Sequence, residues 1–420
     1  MDMKIAIRNH KIVTTSTVYI GCMILLPILN QYKILSMNFF DVVNIGVFIV
    51  CTIKKVKLKL KSEFLPYVFY TLITSIFLMT ELRATTPVLL IKNIVSFLLM
   101  IFNVYFIAVE YFDLVKAYKI YSKVIIVLSV IVVIEFFINL LFGIRLVLAF
   151  PWATLNYGDG IMGSTYISLV QNTYSSYRAS AFFLEPASFA GYALPWLFLS
   201  LFNINRKNSL KNFFLVLFIS MSICLTTSSL GILGVLIAWC AYVEVSLFNS
   251  GRKKLLVTIP ILLCVGIYVY NLDIVQAQIM SKMYSMNDLS RSTSLSLRLL
   301  RGKYCFEELD NIHQIFGCGY GVLYQYFMQN NISTVLDRAD LVVTYMNGMS
   351  LMFCSVGIIG SVLYLIPFIG KVVSNKSVFM LFACWMLLQM TSQVFDTPTL
   401  LLLTIFIIVI SKKNIKEIRV

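Results

Sequence analysis

Two charged residues, Arg178 and Glu185, stand at the mouth of an apolar stretch of membrane length in "RASAFFLEPASFAGYALP" (178–195). A carboxylate can accept a proton from a hydroxyl within hydrogen-bond reach, and a guanidinium fork suits an anion such as phosphate. The local pattern allows two placements. Pro186 disfavours helical geometry at Glu185 and suits a first helical position, so a membrane helix starting at Pro186 would have Glu185 as its cap. If the helix begins earlier, the seven-residue spacing turns through about 700° and puts Arg178, Glu185, Ser188 and Tyr192 on one face. Either placement brings the pair to an outward-facing cavity. The plainer alternative is an interfacial salt bridge that does no chemistry.

Other residues compete for a role. Lys92 lies about a turn inside an apolar segment, where a lysine more often snorkels outward than holds phosphate. Glu135, inside another, either faces the cavity or makes an interhelical hydrogen bond. Gly317, Gly319 and Gly321 have no βαβ context and read as a tight turn under a substrate rather than a dinucleotide loop. His313 reads as a packing residue, "EELD" (307–310) as a solvated helix face, and Tyr174 and Tyr177 as sugar-stacking or interface-lining rings. Cys305 and Cys318 are the cysteines outside apolar runs and are candidates for a disulfide. There is no CxxC, there are two histidines, and no donor cluster has metal-ligand spacing, so no metal or other cofactor is expected.

The elements that must carry these residues are membrane helices. Hydrophobic residues make up 59% of the 420 and charged residues 13%, with a mean hydropathy of +0.87, more than a water-soluble core of this length requires. About twelve apolar runs have the length needed to cross roughly 30 Å of hydrocarbon. They lie at 12–32, 38–53, 64–80, 87–109, 120–142, 182–202, 212–226, 229–248, 255–272, 343–369, 378–394 and 397–411. The expected fold is therefore an all-α integral membrane protein, with no cleavable leader evident in the first run. It divides into a first block of helices over 1–272, with a polar outer loop at about 143–181. A large, partly helical outer loop covers 273–342, between the ninth and tenth helices. The last helices and a basic tail cover 343–420.

Charge sets the expected sidedness, because cytoplasmic loops hold the excess of Lys and Arg. With the N-terminus inside, cytoplasmic pieces such as "KKVKLKLKSE" (54–63) and "KKNIKEIRV" (412–420) together hold 23 of the 34 cations. Both termini are then cytoplasmic and both long loops face outward. The net charge of +15 is mostly a topology signal, and nucleic acid is not needed to explain it. Chemistry in the outer loops has no access to ATP or nucleotide sugars, so a substrate must bring its own activated bond.

Four segments, taken in order, resemble one family. "RASAFFLEPASFAGYAL" (178–194) resembles the arginine–serine–phenylalanine, then Glu-Pro, signature of the Wzy-type bacterial O-antigen and capsule polymerases, which are related to the O-antigen ligases. "LTTSSLGILGVLIAW" (225–239) is similar to their short polar turn before the eighth helix, with Ser229 where many relatives have arginine. "SLRLLRGKYCFEELDNIHQIFGCGYG" (296–321) resembles their Ser-x-x-Arg followed by G-x-G-x-G. "YMNGMSLMFCSVGIIGSVLYL" (345–365) resembles the segment after the loop, with Asn347 in place and Met346 where ligases have histidine.

The resemblance implies a GT-C-like membrane glycosyltransferase in the bacterial cytoplasmic (inner) membrane. It would move a growing glycan from undecaprenyl diphosphate onto a hydroxyl of the next lipid-linked repeat unit. In that role Arg178, Arg291 and Arg298 would neutralise the departing diphosphate without a metal, and Glu185 would serve the acceptor hydroxyl as base. Ser188, Tyr192, Lys92, Gly317, Gly319 and Asn347 are the further substrate-binding candidates. Implied partners are undecaprenyl-diphosphate-linked glycans and membrane lipid, with a chain-length regulator and a flippase alongside, and no nucleic acid. The alternatives are a ligase with the same donor, and a lipid-linked oligosaccharide flippase. A flippase predicts pseudo-symmetric halves and mid-membrane binding residues.

Overall fold

The computed structural model describes residues 2–34, 37–53, 63–79, 87–156, 161–173, 177–207, 210–248, 300–334, 346–374, 376–391 and 397–412. The expected span at 255–272, Arg291, Arg298 and Tyr174 lie outside these residues.

The chain is predominantly helical. The first helices are α1 (Asp2–Leu29), α2 (Phe39–Ile53), α3 (Leu65–Met79) and α4 (Pro87–Ile101), the last continuing through a π-helical turn, Phe102–Ile107, into α5 (Ala108–Tyr111). Then follow α6 (Leu114–Phe142), the short α7 (Gly163–Ser168), α8 (Pro186–Lys207), α9 (Leu210–Leu225) and α10 (Ser229–Phe248). Three short helices, α11 (Gly302–Glu307), α12 (Asn311–Phe316) and α13 (Leu323–Gln329), precede α14 (Gly348–Ser374), α15 (Lys376–Thr391) and α16 (Pro398–Lys412). By length and composition, Ile91–Tyr111, Leu114–Phe142 and Gly348–Val372 are long and apolar enough to cross a membrane, and shorter apolar helices surround them. The departure from an all-helical reading is a small antiparallel sheet in the order β2-β1-β3, built from Tyr32–Ile34 (β1), Met37–Asn38 (β2) and Thr154–Leu155 (β3). Strands this short carry no periodic signal, which is why the sequence pattern does not show them.

Local chemistry sets the helix ends. Asp113 caps α6, its Oδ1 accepting from the amides of Val115 at 3.0 Å and Lys116 at 3.3 Å, and Gly143 closes it in the left-handed region at φ 67°. Proline opens α4, α8 and α16, where its fixed φ suits the first turn and no amide bond is lost.

Two helices form the centre. Leu400 to Ile410 of α16 are buried on every face, as are Phe189 to Phe198 of α8, the pattern of helices enclosed by others. Close approach of α8 and α10 depends on small residues. A Cβ on Gly234 would stand 2.4 Å from Leu194 Cδ1, and one on Gly231 would stand 3.0 Å from the Ala190 Cβ. At the π-helical turn Asn103 Nδ2 donates to Asn44 Oδ1 at 2.7 Å, and Tyr19 Oη donates to the Asn103 carbonyl at 2.7 Å. These bonds join α1, α2 and the turn through polar contacts inside an apolar core.

The segment 317–321 docks into a break in α14. Gly357 has φ 67°, ψ −176°, which interrupts the helix and frees the carbonyls before it. The Cys318 and Gly319 amides donate to the Cys354 and Ser355 carbonyls, each at 2.9 Å, and Tyr70 Oη on α3 donates to the Phe316 and Val356 carbonyls at 3.0 and 3.1 Å. Gly317 and Gly357 meet back to back: a Cβ on Gly317 would lie 2.5 Å from the Gly357 amide nitrogen. Cys305, Cys318 and Cys354 share the small apolar cluster beneath, and Cys305 and Cys318 are free thiols, so no disulfide joins them. Burial pushes the Cys318 thiol up, as expected of an inert, packed cysteine.

Candidate functional site

Helix α8 begins at Pro186. The Glu185 carbonyl accepts the Ser188 amide at 3.0 Å and the Phe189 amide at 3.4 Å, so Glu185 is the cap and its carboxylate stands exposed. The helix does not extend back to Arg178. Residues 177–185 are irregular, turned by Ala181 at φ 50°, and the seven-residue face shared by Arg178, Glu185, Ser188 and Tyr192 does not form. Arg178 is exposed as well, and the two make no ion pair with each other. Ser188 is exposed beside Glu185, but Tyr192 is fully buried and its hydroxyl donates to the Ile24 carbonyl at 2.8 Å. Tyr192 is therefore a packing residue between α8 and α1, not a substrate contact.

The backbone that presents Glu185 is held from several sides. Glu135 of α6, 1% exposed, accepts the Ser180 amide at 3.0 Å and the Ala181 amide at 2.9 Å, both on Oε2. Tyr166 of α7 donates its hydroxyl to the Leu184 carbonyl at 2.5 Å, and the Leu184 amide donates to Gln31 Oε1 just beyond α1. The Asn156 amide in turn donates to the Gln31 carbonyl at 2.7 Å. Tyr177 donates to the Leu146 carbonyl at 2.5 Å, and burial, with the Glu135 charge adding to it, pushes its phenol above the ordinary range. Tyr177 is thus a neutral structural donor. The sequence left Glu135 between a cavity and an interhelical bond, and it takes a third option. The available signal was a lone carboxylate in a 29-residue apolar helix, which must find donors, and a polar loop elsewhere in the chain supplies them.

Above this support lies a cavity of about 300 Å³. Glu185 and Ser188 enter it from the start of α8, Asn30 and Gln31 from the end of α1, and Thr391 and Thr397 from the ends of α15 and α16. Leu230, Leu388 and Leu400 give it apolar walls. Arg178 does not line it.

The other candidates are elsewhere. Lys92 is exposed on α4, and its neighbour Asn93 donates to the Gly321 carbonyl at 3.0 Å. The Gly317 and Gly319 amides are bonded to the His313 and Ser355 carbonyls at 2.8 and 2.9 Å, so neither N–H is open to a ligand. Their positive φ values, 83° and 98°, serve the dock into α14. Asn347 is 4% exposed, and its Oδ1 accepts the Ser350 amide at 2.8 Å, which makes it the cap of α14. His313 packs on the Tyr326 ring and bonds Asp310, while Glu307 and Glu308 are exposed, as the sequence suggests.

The residue that sequence reasoning passed over is Arg301, 2% exposed at the start of α11. Its one signal is position, since Gly302 beside it packs so closely on α14 that a Cβ would lie 2.3 Å from the Ser350 Cβ. Among the described residues no three His, Cys, Asp or Glu side chains come together as a metal set. No protein-family model matches the chain, and no curated protein matches it.

Proposed function

We propose that the chain is a glycosyltransferase that polymerises undecaprenyl-diphosphate-linked repeat units at the outer face of the bacterial cytoplasmic membrane. In this reading it has about twelve spans, a GT-C-like arrangement, and both termini in the cytoplasm. The observation that carries it is Glu185: an exposed carboxylate without a cationic partner among the described residues, on the rim of a cavity, carried by a backbone that three other parts of the fold hold in place. A base held on fixed backbone can deprotonate an acceptor hydroxyl without reorganising first. The chemistry is displacement at the anomeric carbon of the donor glycan. The acceptor oxygen forms the new glycosidic bond, its proton passes to Glu185, and the bond to undecaprenyl diphosphate breaks. Arg178, exposed near the same segment, is suited to the leaving diphosphate.

The test is a deletion strain complemented with variants, read as a glycan ladder together with membrane abundance. Glu185→Gln keeps shape and removes the base, and is expected to lower elongation by about 10²-fold or more at unchanged abundance. Arg178→Lys keeps charge, loses the fork, and is expected to cost about tenfold. A normal ladder from Glu185→Gln would remove that residue from the chemistry and leave the polymerase reading without its base.

A further inference from the structure

The cavity has a chemical character that the two charged candidates alone do not suggest. Its lining among the described residues includes no lysine, arginine or histidine. The sole ionisable side chain among those residues is Glu185, and the remaining polar groups are neutral amides and hydroxyls: Asn30, Gln31, Asn156, Ser188, Thr391 and Thr399 among them. One of these groups lacks a partner. Asn30 Oδ1 is buried and accepts no hydrogen bond, although buried polar atoms are normally satisfied. That oxygen is closed off from the cavity, so the chemistry of the lining is set by the groups that open onto it.

We infer that this cavity is a carbohydrate subsite: it takes a neutral, polyhydroxylated ring, the acceptor sugar, and excludes the lipid diphosphate. The inference rests on the polymerase reading and divides its site in two. A diphosphate placed here would meet the Glu185 carboxylate with no cation among the described lining residues to offset the repulsion. A sugar ring instead presents hydroxyls that both donate and accept, matched by amide and threonine groups, and apolar C–H faces, matched by Leu388 and Pro398. The volume of about 300 Å³ is at the small end of ligand pockets, roughly 300–1,000 Å³, so it suits a single small group better than a lipid chain. The reacting hydroxyl is turned towards Glu185, the ionisable group in the lining. The diphosphate stays outside, on the side of Arg178.

The experiment uses the full chain in lipid nanodiscs and in the complemented deletion strain. Ala187→Trp and Thr399→Trp fill the cavity from α8 and from α16, and Asn30→Leu replaces a lining amide with an apolar group of similar size; variants are compared at matched abundance. The probe for the diphosphate site is undecaprenyl diphosphate without sugar, and the cavity is read through the strain's own glycan ladder. The expected result is binding of undecaprenyl diphosphate within about twofold of the parent protein for all three variants, with the ladder reduced about tenfold or more. A tenfold loss of undecaprenyl-diphosphate binding on filling the cavity would place the diphosphate inside it and overturn the subsite. A normal ladder from both tryptophan variants would overturn it as well. Failure of the parent protein to bind undecaprenyl diphosphate at all would instead sink the polymerase reading, and the subsite with it.

Discussion

The segment 177–188 and the segment 317–321 use opposite parts of the same chain. In the first, backbone groups are engaged by Glu135, Tyr166 and Gln31, and the side chains of Arg178, Glu185 and Ser188 are left exposed. In the second there are few side chains to offer, and the backbone itself is the contact, with glycines at positive φ pressed against the broken turn of α14. Both stretches read as motifs. The comparison shows that a motif which exposes side chains on fixed backbone is a candidate for chemistry, whereas one that engages its amides is a joint.

If the second region is a joint, its disruption has the largest effect. A Cβ at Gly357 would stand 2.3 Å from the Ile315 carbonyl oxygen, in a backbone conformation that L residues rarely adopt. Gly357→Ala is expected to cost more than about 4 kcal/mol and to leave little monodisperse protein on size-exclusion chromatography of solubilised membranes. Normal accumulation of that variant would break the contrast from the structural side.

The next effect in size falls on the support of the first region. Glu135→Ala leaves the Ser180 and Ala181 amides without their acceptor, at about 1–3 kcal/mol each, and the segment that presents Glu185 loses its register. The ladder is expected to shorten about tenfold with abundance much less affected. Glu135→Gln keeps a carbonyl acceptor and is expected to restore most of it. Equal damage from Ala and Gln would mean that the negative charge, not the acceptor, is what matters.

The smallest effect is expected at Asp310, on the surface of the joint. Partial burial raises its carboxyl, but bonds from the His313 amide at 2.9 Å and the imidazole at 2.5 Å outweigh that and hold it below the usual range. A depressed carboxylate stabilises the fold above its unfolded value, about 4, and that contribution is lost as pH falls through the folded value. The side chain is 59% exposed, so solvent screening keeps the gain to roughly 0–1 kcal/mol. Thermal unfolding of Asp310→Asn against the parent should show a small deficit at pH 7 that shrinks once the pH falls below the ordinary carboxylate value of about 4. A deficit that grows in acid would reverse the assignment.

What could be read in advance followed the range of the physics. The start of α8 was legible because proline and its predecessor act on adjacent residues, and the exposure of Glu307 and Glu308 because adjacent carboxylates seek solvent, although α11 ends at Glu307 and Leu309 beside them is buried. The positive φ of the glycine run was legible too, as a turn. Its partner was not, because Gly357 lies forty residues later and nothing local marks a helix that breaks to accept another backbone. Glu135 failed in the same way: its apolar surroundings announced an unmet need, but not that residues 180 and 181 would meet it. Tyr192 misled because helical spacing was extended across a proline boundary that stops it.

The burial of α16 has a consequence for how the protein is made. Residues 398–412 are the last helix described, yet they occupy the middle of the bundle against α1, α6, α8 and α15. Synthesis runs from the N-terminus, so every earlier helix is inserted while the position it will pack against is still empty. Until α16 arrives, the inner faces of α1 and α8 can be covered only by lipid or by one another. A chain interrupted before Pro398 would therefore present quality-control proteases with an open shell, and the order of translation itself ensures that only chains carrying α16 can close.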